Sequence, residues 1–231
     1  MKININLKNF KKKHKGKKNQ IIFHKAKCPN NKIIDNIINT FLKKKNSFIF
    51  ESVEKRRIRG RYTIIGADPD KIWEFDKKKI TLIQDKKKKL IKSLPYPFLK
   101  RLIEDFNFDL PKNLPPICSL LVGYFSYDII RYIEKIPDNC KDDLKIPDVI
   151  LMRPKTLIIH DNLLKKIYFI KNCYADEKIT NYQEYFYQQK RNINLLKNLS
   201  FHYNYQKINI KINGKKNKIK SNISKSRFKK I

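Results

Sequence analysis

The stretch of residues 47–73, SFIFESVEKRRIRGRYTIIGADPDKIW, constrains the fold more than any other part of the sequence. It opens with bulky apolar residues typical of a strand: Phe48, Phe50 and Val53. A basic turn over residues 55–61 follows, and then a second, short strand over residues 62–65. We expect Gly66 and Pro69 to end this second strand. The pattern therefore predicts two neighbouring strands joined by a basic turn.

Glu51 and Ser52 place a carboxylate and a hydroxyl in the middle of the first strand. A buried polar group without a partner costs roughly 1–3 kcal/mol. The two residues are therefore expected either at a sheet edge or against a bound partner. This makes them the first candidates for a binding site.

The rest of the sequence predicts one domain with two tails. At 231 residues the chain is long enough to bury a core. Residues 1–19 form a basic N-terminal tail that we expect to be poorly ordered or lightly docked. Residues 20–200 form the domain, and residues 201–231 form a linker rich in lysine and asparagine.

The local patterns predict a further series of elements. In chain order they are a strand (20–26), an amphipathic helix starting at Pro29, a hairpin (72–75 and 80–83) and a lysine-rich loop (85–89). There follow a helix from Pro97, a strand buried on both faces (117–126) and a short helix (127–133). The series ends with three strands (149–152, 156–160 and 166–171) and a helix (175–199).

The net charge of +33 at pH 7 would by itself suggest nucleic acid or an anionic membrane as a partner. The lysines are spread along the chain together with many isoleucines and asparagines, as A/T-rich codons would supply. We therefore favour compositional bias and expect no specific nucleic-acid partner. A small basic nucleic-acid-binding protein remains the alternative from another class.

The cysteines at positions 28, 118, 140 and 173 form no C-x-x-C pair and no short Cys/His spacing, so neither a zinc site nor a disulfide framework is expected. The N-terminus does not read as a secretory signal, and no run approaches the roughly 18–20 apolar residues of a membrane span. We expect a cytoplasmic protein with no membrane partner.

Several motifs resemble anthranilate synthase component I, of the chorismate-utilising enzyme family. Residues 47–54 (SFIFESVE), 59–66 (RGRYTIIG) and 68–73 (DPDKIW) are similar to its S-F-L-L-E-S-V-E, R-G-R-Y-S-x-I-G and D-P-D-x-I-W motifs, with Phe50 where the family usually has leucine. Residues 123–131 (GYFSYDIIR) resemble G-x-x-x-Y-D-x-x-R, and residues 147–154 (PDVILMRP) resemble P-D-x-x-x-x-R-P. Residues 221–228 (SNISKSRF) resemble the S-N-x-S-x-x-x-F that leads into the catalytic domain of the family.

The resemblance implies the N-terminal portion of a lyase that converts chorismate and ammonia or glutamine to anthranilate and pyruvate in tryptophan biosynthesis. The implied fold is α/β, of the α+β type: part of a sheet sandwich with mostly antiparallel strands and outer helices. The complete enzyme needs Mg²⁺, whose ligands lie in the catalytic domain, and a glutamine amidotransferase subunit, component II. We expect this chain alone to be inactive. The corresponding domain of para-aminobenzoate synthase component I is the nearest alternative.

The resemblance also implies a feedback site for tryptophan at Ser52 and its neighbours Glu51 and Phe50. A zwitterionic amino acid needs an acceptor for its ammonium group, which Glu51 suits, and donors for its carboxylate, which Ser52 and a cation suit. Arg61 is our choice of cation, with an ion pair as its alternative role. No catalytic residue and no metal ligand is assigned in this chain. Asp128 and Arg131, three residues apart, are expected either to pair with each other on the helix surface or to take part in a contact between domains.

Overall fold

The computed structural model describes residues 3–28, 32–51, 60–106, 108, 110–111, 114–139, 141–202 and 224–229. The helices within these ranges are α1 (Leu7–Lys15), α2 (Lys32–Leu42), α3 (Pro95–Glu104), α4 (Tyr182–His202) and α5 (Lys225–Phe228). The strands are β1 (Gln20–Lys27), β2 (Phe48–Phe50), β3 (Tyr62–Asp76), β4 (Lys79–Gln84), β5 (Lys87–Ile91), β6 (Val122–Phe125), β7 (Val149–Asp161) and β8 (Lys166–Cys173). No helix in the described ranges is long and apolar enough to cross a membrane.

The strands form one sheet in the order β1-β8-β7-β3-β4-β5, in which β2 also pairs with β3 and β6 with β7. Every one of these strand pairs is antiparallel. The expected α/β class with mostly antiparallel strands and outer helices is thereby confirmed. The two long strands β3 and β7 run through the centre, with Tyr62 opposite Asp161 at one end and Phe75 opposite Val149 at the other.

A β-bulge divides β3 and β7 into two halves. The register of the pair shifts between Pro69 and Lys71, Pro69 lies opposite Pro154, and Asp68 has a left-handed φ of 54°. Proline has no N–H to donate to the ladder, so the chain tolerates it at a bulge rather than in regular pairing. Our expectation that Gly66 and Pro69 end the strand is therefore wrong. The two strands that we expected on either side of Pro154 are likewise one strand, β7.

Three groups of buried side chains form the core. One face of the sheet packs against α1, α2 and α4 through residues that include Phe10, Ile22, Ile37, Phe41, Ile158, Phe169 and Phe186. The opposite face of the same half of the sheet buries Ile21, Leu157, Ile159, Tyr168 and Ile170. The other half of the sheet buries Trp73, Phe75, Ile80, Val149 and Leu151 against Leu99 of α3.

The N-terminal segment differs from the poorly ordered or lightly docked tail that we expected. Residues 7–15 form α1, in which Phe10 is fully buried. The Phe10 ring stacks on Tyr185 of α4 with the ring centroids 5.9 Å apart, and the Gln20 side chain donates a 3.0 Å hydrogen bond to the Phe10 carbonyl. The buried Phe10 and His14 thus dock a lysine-rich helix against α4. The domain boundaries at residues 19/20 and 200/201 stay predictions.

Two further expectations are wrong, and both concern edge strands. The lysine run expected as a loop forms β5, and the run 117–126 expected as a buried strand is a 3₁₀ turn at Pro116–Cys118 followed by the short β6. Among the described strands, β5 pairs only with β4, and β6 pairs only with β7. Lysines suit an edge because they discourage pairing with another chain, and an edge strand leaves Tyr124 and Phe125 exposed.

The other local predictions agree better with the structure. The strands β1 and β8, the apolar stripe of α2 and the hairpin of β3 with β4 form where their patterns predict them. The α3 helix begins at Pro95 rather than Pro97, α4 begins at Tyr182 rather than at 175, and the short helix after β6 is a 3₁₀ helix, Tyr127–Tyr132. Most of the basic turn and most of the C-terminal linker lie outside the described residues.

Candidate functional site

The structure places two of the predicted site residues at the end of β2. Phe50, opposite Ile64 of β3, is half exposed, and Glu51 follows it and is exposed. Ser52 lies outside the described residues, as does the chain from there to residue 59. In the part of the chain that the structure describes, β3 is the only strand partner of β2. Phe50 and Glu51 therefore stand at a sheet edge.

Arg61 lies just before β3 and is held by Asp161, the last residue of β7. Its Nη2 donates to Asp161 Oδ2 at 2.7 Å, and its Nε lies 3.2 Å from both carboxylate oxygens. The guanidinium also lies over the Tyr62 ring, 4.9 Å from its centroid. Arg61 thus takes the ion-pair role that was its alternative. The bonds to Asp161 use Nε and Nη2 of Arg61 and do not involve Nη1.

Asp161 is a partner of Arg61 that sequence reasoning missed. Its side chain is only 1% exposed, and it also accepts 3.0 Å hydrogen bonds from the backbone N–H groups of Leu163 and Leu164. Burial alone would raise the pKa of Asp161, but the hydrogen bonds from Arg61 and the two backbone groups outweigh it and lower the pKa below its usual value. The Asp161-Asn162 pair signals a turn, yet nothing local points to a partner 100 residues earlier.

A second polar cluster surrounds the bulge and joins two of the sequence motifs. Arg153 Nε donates to Asp70 Oδ1 at 2.8 Å, and Arg153 Nη2 and Nη1 lie 3.0 and 3.2 Å from the Asp176 carboxylate. The Arg153 guanidinium also stacks 3.9 Å from the centroid of the Tyr174 ring. The DPDKIW and PDVILMRP motifs therefore meet at one ion-paired cluster, and the contacts give it a structural role.

The remaining groups at the bulge are also paired. Asp68 accepts a 2.7 Å hydrogen bond from Thr156 and forms ion pairs with Lys44 at 3.5 Å and Lys171 at 3.6 Å. Burial lowers the pKa of Lys171, which also donates to Thr156. Within the described residues, no three His, Cys, Asp or Glu side chains come together as a metal site would require.

The third motif lies on and after β6. The predicted pair is confirmed, because Arg131 Nε donates to Asp128 Oδ1 at 3.0 Å. Tyr127, between the strand and this pair, is 88% exposed. An open groove of about 700 Å³ lies elsewhere, along the segment before α1, with Ile3, Asn4, Phe23 and Pro111 in its wall. Phe50, Glu51 and Arg61, the predicted site residues that the structure describes, do not line it.

Three curated relatives of the chain are anthranilate synthases. No family model matches the chain. Anthranilate synthase component 1 of Cereibacter sphaeroides is 27% identical over 199 residues, which cover 82% of this chain and 39% of that protein. The protein of the same name from Acetivibrio thermocellus is 32% identical over 134 residues, or 57% of this chain and 27% of that protein. Anthranilate synthase alpha subunit 2, chloroplastic, of Oryza sativa subsp. japonica is 32% identical over 162 residues, which cover 65% of this chain and 27% of that protein.

A solved structure of anthranilate synthase component I from Streptococcus pneumoniae TIGR4 matches with a TM-score of 0.46 and 19% identity, over 68% of this chain and 34% of that one. The chain spans only 27% to 39% of the length of the three curated relatives named above. These relatives match it over 57% to 82% of its own length. The chain is a homologue of anthranilate synthase component I that corresponds to part of that protein.

Proposed function

We propose that the chain is the N-terminal, regulatory portion of an anthranilate synthase component I. The complete enzyme would be a cytoplasmic lyase that converts chorismate and ammonia to anthranilate and pyruvate in tryptophan biosynthesis. A glutamine amidotransferase subunit, component II, would supply the ammonia. The observation that carries the proposal is the similarity to anthranilate synthases across 82% of this chain.

Mg²⁺ and chorismate belong, in this proposal, to the part of the relatives that this chain does not match. The described residues do not fit a magnesium site, because their nearest candidates, Asp68, Asp70 and Asp176, are already paired with arginine or lysine. Magnesium prefers carboxylate and water oxygens in octahedral geometry. The ligands of Mg²⁺ would lie in the catalytic portion. The residues of this chain would then act on regulation and not on the reacting atoms.

The tryptophan feedback site would be formed at the end of β2 by Phe50, Glu51, Ser52 and Arg61. Glu51, an exposed carboxylate, would accept the ammonium group of the amino acid. The half-exposed Phe50 ring offers an aromatic surface for the indole. Ser52 and the Nη1 group of Arg61 would donate to the carboxylate, while Asp161 keeps the guanidinium in place through Nε and Nη2.

Feedback requires tryptophan to favour one arrangement of the regulatory and catalytic portions. Tryptophan should then bind this chain weakly and the complete enzyme tightly. A ligand can shift an equilibrium only by its difference in affinity between the two states. The regulatory effect therefore depends on contacts that the catalytic portion adds.

The proposal is tested with a chimera in which this chain replaces the matched segment of the Cereibacter sphaeroides relative. Anthranilate is measured by its fluorescence after addition of chorismate, Mg²⁺ and ammonium. The chimera should form anthranilate, and the purified 231-residue chain should form none. Formation of anthranilate by the chain alone would contradict the proposal, as would a folded but inactive chimera.

A further inference from the structure

Gly66 of β3 lies directly opposite Phe48 of β2. The Phe48 ring lies so close to Gly66 that a side chain at position 66 would collide with it. A Cβ atom at Gly66 would lie 2.2 Å from Cε1 and 2.3 Å from Cζ of Phe48, and 3.0 Å from Cδ2 of Leu157. Gly66 does not have a positive φ. A side chain at position 66 would therefore displace the Phe48 ring from the place it occupies over Gly66.

The Phe48 ring in turn supports Phe50. Residues two apart on a strand share a face, and the two ring centroids are 5.1 Å apart with the planes tilted by 43°. Phe48 also packs against the cluster that contains Leu157 and Ile159. Because β2 has only three residues and one described strand partner, its ladder bonds alone hold it weakly. An aromatic ring laid over a glycine on the neighbouring strand is a known way to fix register.

We propose that Gly66 and Phe48 are positioning residues of the effector site. They seat β2 on β3, and they thereby fix where Phe50 and Glu51 project at the sheet edge. As far as tryptophan is concerned, this inference rests on the proposed function. Its structural part stands on the contacts alone.

The geometry provides a rescue at Gly66, a contrasting glycine that no rescue can relieve, and a glycine control. The atoms that would clash, Cε1 and Cζ, are absent from leucine, so Phe48→Leu should make room for Gly66→Ala. At Gly123 a Cβ would lie 1.7 Å from the backbone oxygen of Ile150, and no truncation of a side chain can relieve that clash. At Gly16 the nearest atom to an added Cβ would be the Lys13 oxygen at 3.4 Å, an ordinary contact.

The test measures amide hydrogen exchange in Gly66→Ala, Phe48→Leu, the double variant and the Gly16→Ala control. Overpacking should loosen β2 in Gly66→Ala, and exchange over residues 48–50 should accelerate about tenfold. Exchange in the β1–β8 pair should stay near that of the parent. The double variant should exchange more slowly over residues 48–50 than Gly66→Ala, and Gly16→Ala should match the parent there. Phe48→Leu alone, which introduces no clash, should fold and still exchange faster over β2 than the parent.

The same variants in the chimera connect the positioning to regulation. The tryptophan concentration for half inhibition should rise about tenfold in Gly66→Ala with kcat unchanged, and the double variant should recover part of the sensitivity. Parental exchange over β2 in both Gly66→Ala and Phe48→Leu would overturn the inference. Loosened β2 with unchanged tryptophan sensitivity in a sensitive parent would overturn its regulatory part. A parent chimera that tryptophan does not inhibit would instead refute the proposed feedback function.

Discussion

Replacing Arg153 by methionine should destabilise the chain strongly through the cluster at the bulge. Arg153 links Asp70 on β3 to Asp176 after β8, and its side chain is only 10% exposed. Removal of one partner from a buried ion pair costs about 3–5 kcal/mol. Asp176 is 46% exposed and keeps its pair with Lys71. Most of the lost stability should therefore come from Asp70, which is only 16% exposed and would lose its arginine partner. We therefore expect the lower end of the range, about 3 kcal/mol.

Urea unfolding followed by tryptophan fluorescence measures this loss, because the chain has one tryptophan and Trp73 is buried in the core. With a slope of roughly 2–3 kcal/mol per molar urea, the midpoint of Arg153→Met should fall by about 1–1.5 M. The urea midpoint of Arg153→Lys should lie between those of the parent and Arg153→Met, because lysine keeps the charge but cannot form the bidentate contact. Arg191→Met, on the exposed side of α4, is the matched control and should change the free energy of unfolding by no more than about 0.5 kcal/mol.

The pH dependence supplies a second check on the same cluster. Burial alone would raise the pKa of Asp176, but the hydrogen bonds from Arg153 and Lys71 outweigh it and lower the pKa. A lowered carboxyl pKa stabilises the fold above the unfolded value of about 3.9, and this contribution is lost as the pH falls through the folded value. The difference in stability between the parent and Arg153→Met should therefore narrow as the pH falls below about 3.9. A midpoint for Arg153→Met equal to that of Arg191→Met at pH 7 would refute the reasoning.

Two other properties follow from the charges. The affinity for mixed-sequence DNA should be weak and should fall steeply between about 50 and 200 mM salt, because binding releases counterions. A filter-binding assay measures this affinity. A sequence preference that survives about 200 mM salt would argue for a dedicated nucleic-acid site. Burial and the nearby Lys165 lower the pKa of His160, so the unfolded chain takes up a proton first and stability should fall as the pH drops below about 6.5. His160→Gln should reduce the pH dependence of the free energy of unfolding, measured by urea titration from about pH 7.5 to 5.5. An unchanged pH dependence in this variant would contradict the role of His160.

The elements that depend on local patterns were predictable. The apolar stripe of α2 and the hairpin of β3 with β4 form between residues close in sequence, where period and turn residues carry the information. The prolines of β3 and β7 misled the prediction, because they face each other at a bulge that only the pairing of distant strands creates. The exposure of β6 has a similar cause, since an apolar run does not reveal that its strand lies at an edge.

The same distinction applies to the candidate site. Glu51 was expected at a sheet edge or against a bound partner, and the structure places it with Phe50 at an edge, while their part in a tryptophan site stays a prediction. The role of Asp161 was not predictable, because it depends on a contact with Arg61 across 100 residues of chain. Gly66 offered a signal that was misread, because a glycine inside an apolar strand often marks a bulge, a bend or a close approach.

Sensitivity to tryptophan in the chimera with Ser52→Leu tests the central claim most directly. The change removes a hydroxyl from the proposed effector site and fills its space with an apolar side chain. Loss of one charge-assisted hydrogen bond, worth roughly 1.5–3 kcal/mol, should weaken tryptophan binding by about tenfold or more. Turnover of chorismate should stay close to that of the parent chimera, while the tryptophan needed for half inhibition rises by that factor. A Ser52→Leu chimera that remains as sensitive to tryptophan as its parent would contradict the account.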